Sequence, residues 1–144
     1  RISSRRVSFL LDTNIVSELR VRRRSSEPVF AWRDANLGAA KAISVMSILE
    51  LEFGAQRAFD QRLQHAQLLR DWIDHQVMPE FEGAILQVDV EVAKVFAKLL
   101  SVRTFSYVDG LIAATALVHG LIVVTRDVEG FTDSGVPLVN PWAT

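Results

Sequence analysis

Four short apolar runs, at residues 7–11, 42–45, 84–88 and 121–124, constrain the fold more than any other feature of the chain. Each has four or five residues, too few for a helix, and is bounded by polar or turn residues. Their apolarity is continuous and lacks the alternation of a strand with one wet face, so they read as strands buried on both faces. Between the runs the apolar spacing becomes helical. Residues 48–75 carry Ile48, Leu49, Leu63, Leu68, Leu69, Trp72 and Ile73 among charged residues, and residues 90–100 set Val92, Ala93, Phe96, Ala97 and Leu100 on one stripe. A nearly all-apolar helix is expected from about Tyr107, stopped by Gly120. A shorter helix is expected over 27–37, with Ser25 or Ser26 near its cap and Pro28 in its first turn. A last edge strand is expected at 136–139. Strands alternating with helices predict one α/β domain, an open and mostly parallel sheet with helices on both faces.

With 144 residues, one hydrophobic core is the expectation. Hydrophobic residues at 49% against 23% charged exclude a disordered composition. The formal net charge of −1 gives no whole-molecule attraction to nucleic acid or membrane. The absence of Cys removes disulfides, thiolate zinc sites and cysteine nucleophiles. No apolar stretch reaches the length of a membrane span, so no membrane partner is expected and the location is read as cytoplasmic. The chain begins at Arg1 and not Met, and residues 1–6 are expected to be a trimmed, added or disordered start without structural weight. The high apolar content points to a self- or partner-binding surface, with Phe30, Trp32 and Trp72 as candidates alongside their role in the core.

In an open parallel sheet, ligands bind beyond the carboxyl ends of the strands. Asp12 directly follows the first run, and Asp127 follows the fourth after only Thr125 and Arg126. Glu50 falls in the expected first turn of the helix after the second run, and Asp109 in the first turn of the apolar helix. Each acid has a structural explanation too. Asp12 suits a helix N-cap, Ser47 with Glu50 and Ser106 with Asp109 have capping-box spacing, and Asp127 suits a turn start. Their convergence on one edge favours a joint site. Carboxylates about 4 Å apart repel by roughly 4 kcal/mol at an effective dielectric near 20, so such a cluster needs protons or cations. Oxygen donors without Cys or His select Mg²⁺ or Mn²⁺, and the matching chemistry is phosphodiester hydrolysis. No glycine-rich phosphate loop or Gly-x-Ser-x-Gly elbow competes with that reading. His65, His75 and His119 read as structural.

Residues 1–33 hold eight Arg against three acids, a net +5. The run Arg22-Arg23-Arg24, with Arg126 beside Asp127, offers contacts to an RNA backbone, a role without sequence preference. A solvated loop or partner patch explains the run equally well.

The segments Leu10-Leu11-Asp12-Thr13-Asn14, Glu50-Leu51-Glu52-Phe53-Gly54, Asp109-Gly110-Leu111-Ile112-Ala113-Ala114-Thr115-Ala116, Val124-Thr125-Arg126-Asp127 and Val139-Asn140-Pro141-Trp142 together resemble the PIN-domain ribonucleases of the VapC and FitB type. The resemblance runs from about Ser8 to Trp142. It implies a three-layer α/β/α fold, Asp12, Glu50, Asp109 and Asp127 as catalytic, metal-holding acids, and Asn14 and Thr125 in supporting hydrogen bonds. It further implies a type II toxin that cleaves RNA with Mg²⁺ or Mn²⁺, forms a homodimer or a higher toxin–antitoxin assembly, and is silenced by a cognate antitoxin. Many relatives have Thr-Arg-Asn and then an acid just before the Phe. Here Asp127 takes the Asn position and Gly130 precedes Phe131, which leaves Asp127 or Glu129 as the fourth carboxylate. Glu52 would point about 200° from Glu50 on a helix. The competing readings are a catalytically inactive domain of this fold that binds nucleic acid or protein, and other α/β phosphotransfer proteins. The latter fit poorly, since the only Lys residues are 41, 94 and 98 and an Asp-x-Asp pair is replaced by Asp12-Thr13-Asn14.

Overall fold

The computed structural model describes residues 8–143. The expectation for residues 1–6 lies outside them. Among the described residues, five strands form one parallel sheet: β1 (Phe9–Leu11), β2 (Lys41–Ser44), β3 (Ile85–Leu86), β4 (Ile122–Val124) and β5 (Leu138–Val139). The spatial order is β3-β2-β1-β4-β5, with Leu11 opposite Val124 and Phe9 opposite Lys41. Each expected strand is present among the described residues; β2 begins one residue before its apolar run, at Lys41, and β3, β4 and β5 are shorter than expected.

The continuous apolarity of the strands has a simple cause. Leu10, Ala42 and Val123 face one core cluster, whereas Phe9, Leu11, Ile43 and Val124 face the other. The second cluster is covered by α1 (Thr13–Glu18), α2 (Glu27–Ala35), α3 (Val45–Asp60), α4 (Ala66–Trp72) and the segment leading to α5 (Met78–Glu80). The first is covered by α6 (Val90–Val102) and α7 (Tyr107–His119). Ser44, Asp89 and Ser106 cap α3, α6 and α7 by accepting from the Met46, Val92 and Asp109 amides. Gly120, at φ 66°, ends α7 in the left-handed region.

The structure corrects two details. The helical pattern over 48–75 is two helices, α3 and α4, parted by a turn in which Arg62 has φ 55°. A π-helical turn, Ile73–Val77, then follows α4, before Pro79, which cannot donate to the His75 carbonyl as a regular helix requires. Phe30 and Trp72 are buried in the core, as their expected core role requires, and Trp32 packs half-buried against the same cluster, while the exposed apolar surface comes from residues such as Leu49, Phe53, Leu68 and Tyr107.

Candidate active site

The strand order reverses around β1, which leaves a crevice at the carboxyl ends of β1 and β4. Asp12 leaves β1 with its amide donating to the Val124 carbonyl, and Thr125 leaves β4 with its amide donating to the Val139 carbonyl. Both residues are buried, so their polar groups must pair. The Thr125 hydroxyl donates to Asp12 Oδ2 at 2.8 Å, and Asn14 Nδ2 reaches the same oxygen at 3.2 Å. Thr13 N donates to Asp12 Oδ1 at 2.8 Å, so Asp12 is also the N-cap of α1. Asn14 Oδ1 accepts from the Arg126 amide, and the Asp127 amide donates to Thr125 Oγ1. Asn14 and Thr125 thus both hydrogen-bond the Asp12 carboxylate.

Asp12, Glu50, Asp109 and Asp127 line one open cleft of about 330 Å³ with Thr13, Asn14 and Ser17. Four chain segments supply these acids. Glu50 arrives differently from the sequence expectation: Ser44, not Ser47, caps α3, so Glu50 is its sixth residue. Its Oε1 accepts from the Thr13 hydroxyl, whose oxygen also lies at hydrogen-bond distance, 2.8 Å, from Ser47 Oγ. Asp109 is the third residue of α7 and follows the α6–α7 junction, not a strand. Asp127 caps the 3-10 turn Val128–Phe131 by accepting from Gly130 N at 3.3 Å.

Gly130 lies against both neighbouring acids. A Cβ built there would meet Asp109 Oδ2 at 2.5 Å and Asp127 Oδ2 at 3.0 Å. Glu129 is not among the cleft's lining residues. Glu52 points elsewhere and pairs with Arg70, which also holds Asp74. Sequence reasoning missed Thr13 as a bridge to Glu50, although it lies inside the Asp12-Thr13-Asn14 motif.

Burial raises the Asp12 pKa to about 6, against the lowering effect of the Thr125 and Thr13 hydrogen bonds, and Asp109 and Glu50 add repulsion. Asp109 is raised by burial and by the charge of Asp127, while the Ser106 hydroxyl and the Arg103 charge pull it down. No Lys, Arg or His lines the cleft among the described residues. Nor do any three acidic or His side chains there form a preformed metal cage. An open, all-oxygen donor set of this kind fits a hard divalent ion that keeps several waters.

The arginines separate. Arg22 is paired with Glu27 and stacks on Phe30. Arg23 lines a second groove of about 270 Å³ that adjoins the cleft through Thr13, Ser17 and Glu50. Arg24 is exposed, and Arg126 stacks on Trp142 at 4.5 Å.

The PIN domain family model matches residues 9–133. VapC ribonuclease Y4jK of Sinorhizobium fredii is 33% identical over 141 residues, covering 93% of this chain and 97% of that protein. Toxin FitB of Neisseria gonorrhoeae is 33% identical over 139 residues, covering 93% and 98%. A solved structure of FitAB bound to an IR36 DNA fragment superposes with a TM-score of 0.80 at 30% identity, covering 94% of this chain and 96% of the matched chain. With that match, the strand order and the acids at the β1–β4 crevice, the chain belongs to the PIN-domain family.

Proposed function

We propose that this chain is a metal-dependent endoribonuclease and the toxin of a toxin–antitoxin pair. One observation supports this above the others: four carboxylates from four segments line a single cleft without a basic side chain among them. Asp12, Glu50, Asp109 and Asp127 would hold Mg²⁺ or Mn²⁺. When bound, such an ion lowers the pKa of a water and offsets charge on a phosphate. The chain's own part is orientation. Thr125, Asn14 and the Thr13 amide fix both oxygens of Asp12, the Thr13 hydroxyl directs Glu50, and the Gly130 amide holds Asp127. Of Arg22, Arg23, Arg24 and Arg126, Arg23, which lines the adjoining groove together with Arg20, is best placed to meet an RNA phosphate; Arg22 and Arg126 are already engaged by other side chains, and Arg24 lines neither the cleft nor the groove.

That groove also suits an antitoxin segment. Leu51, Ala55, Leu69, Trp72 and Ile73 give it an apolar floor, and Glu18, whose Oε1 is buried without a hydrogen-bond partner, lines its edge. Exposed Leu49, Phe53 and Tyr107 offer apolar surface for a homodimer or a higher assembly. No helix among the described residues is long and apolar enough to cross a membrane, and a toxin that cuts RNA would act in the cytoplasm.

A non-catalytic binding role is favoured by one fact, that Asp12 and Asp127 do cap helical turns. An amide series separates the readings. Glu50→Gln, Asp109→Asn and Asp127→Asn are each expected to slow metal-dependent RNA cleavage roughly 100-fold or more, the loss of several kcal/mol of barrier lowering. Glu129→Gln should stay within about twofold, as an exposed substitution outside the cleft does. Equal losses in Glu129→Gln and Asp127→Asn would reassign the fourth carboxylate, and no loss in any variant would leave a binding domain.

A further inference from the structure

Arg103, half-buried at the end of α6, forms no ion pair among the described residues. Its guanidinium instead binds backbone carbonyls. Nε donates to Thr132 O at 2.8 Å, Nη1 to Thr104 O at 2.7 Å, and Nη2 to Gly130 O at 2.9 Å and Glu129 O at 3.3 Å. Its face lies 3.8 Å from the centroid of the Phe105 ring. Thus one side chain ties the α6–α7 junction, just before Asp109, to a turn 26 to 29 residues away that carries Gly130 and follows Asp127. Gly130 touches both carboxylates, with no room for a Cβ between it and Asp109. Any slip of the turn would therefore change the spacing of Asp109 and Asp127 directly.

We propose that Arg103 is a positioning residue that sets Asp109 against Asp127 by clamping the carbonyls of Glu129, Gly130 and Thr132 to the α6–α7 junction. The inference rests on the reading of these acids as metal-holding. A planar fork can serve carbonyls in several directions at once, which a Lys ammonium on a flexible stem does only in part. Loss of such a supporting contact typically costs about 10- to 100-fold in metal affinity.

The test compares wild type, Arg103→Met, Arg103→Lys and Val136→Ala by Mn²⁺ titration calorimetry, thermal melting and amide hydrogen exchange. Val136 is buried in the core cluster beneath α7 and lines no part of the cleft, so its truncation reports stability alone. Arg103→Met is expected to weaken Mn²⁺ binding about tenfold or more, Arg103→Lys to recover part of it, and Val136→Ala to lower the melting temperature with Mn²⁺ affinity intact. Arg103→Met should also speed exchange of the Gly130 amide in metal-free protein. Wild-type Mn²⁺ affinity in Arg103→Met, or an equal loss in Val136→Ala, overturns the proposal. If wild type itself binds no Mn²⁺, the metal-dependent nuclease reading fails. The clamp is then decided by exchange: faster at Gly130 in Arg103→Met sustains it, unchanged refutes it.

Discussion

Asp12→Asn is expected to raise the stability of the metal-free protein at pH 7.5 while removing the proposed RNA cleavage. Burial lifts the Asp12 pKa from 3.8 to about 6. Between those values the folded chain binds more protons than the unfolded chain, so stability falls as pH rises through that window, and the full penalty is present above it. A shift of about two pH units corresponds to roughly 3 kcal/mol at most. Asparagine removes this penalty. It keeps an acceptor for the Thr13 amide but turns a donor toward both the Thr125 hydroxyl and Asn14 Nδ2, which costs about 2 kcal/mol. The net gain expected at pH 7.5 is therefore about 1 kcal/mol, shrinking toward zero or reversing below pH 4. Denaturant melts of both proteins in EDTA across pH 4–8 provide the check. A destabilised Asp12→Asn at pH 7.5 would mean that Asp12 serves the fold as a cap and carries no buried charge penalty.

The second large effect is steric. Gly110→Ala, one residue beyond Asp109, is expected to destabilise the protein by about 1–3 kcal/mol, despite alanine's better helix propensity. A Cβ there would lie 2.1 Å from Phe96 Cε1 and within 3 Å of two further ring atoms. The ring cannot easily retreat, because Phe96 is buried and packs edge-to-face on Tyr107 with centroids 5.4 Å apart. The strain falls where α6 meets α7, so the first turn of α7 must shift and carry Asp109 with it. Pairing the change with Phe96→Leu should return part of the stability, and a double-mutant cycle measures the coupling. Gly54 supplies the contrast: nothing lies within 4 Å of the point a Cβ would occupy, and alanine there should stabilise α3 by about 0.5–1 kcal/mol. An unaltered melt in Gly110→Ala would show that α6 and α7 have slack at their closest contact.

Much of this arrangement is legible in the sequence because it depends on local pattern. Leu10 and Leu11 face different core clusters, and that two-sided burial is what an unbroken apolar run records. Asp12 and Asp127 follow strands within three residues, so strand position alone puts them at one edge. Glu50 reaches the expected edge although the local reason for it differs. Ser47 has the spacing of a cap, but Ser44 sits at the strand end and takes that role, which moves Glu50 into the second turn. The break between α3 and α4 is hidden because no Gly or Pro lies between Asp60 and Ala66 to mark it. Arg103 leaves no trace of its role, since its partners are backbone carbonyls distant in sequence, and carbonyls have no residue signature.

If these four acids hydrolyse RNA with a divalent ion, the chemistry of the cut ends must show it. Partner-free protein is incubated with a mixed RNA panel and Mn²⁺ or Mg²⁺, with and without EDTA, beside Asp12→Asn, and both ends of each cut are mapped. Attack by water predicts 5′-phosphates and 3′-hydroxyls, absent in EDTA and absent with Asp12→Asn. Cyclic phosphate ends, or cuts that persist in EDTA or in Asp12→Asn, would contradict it.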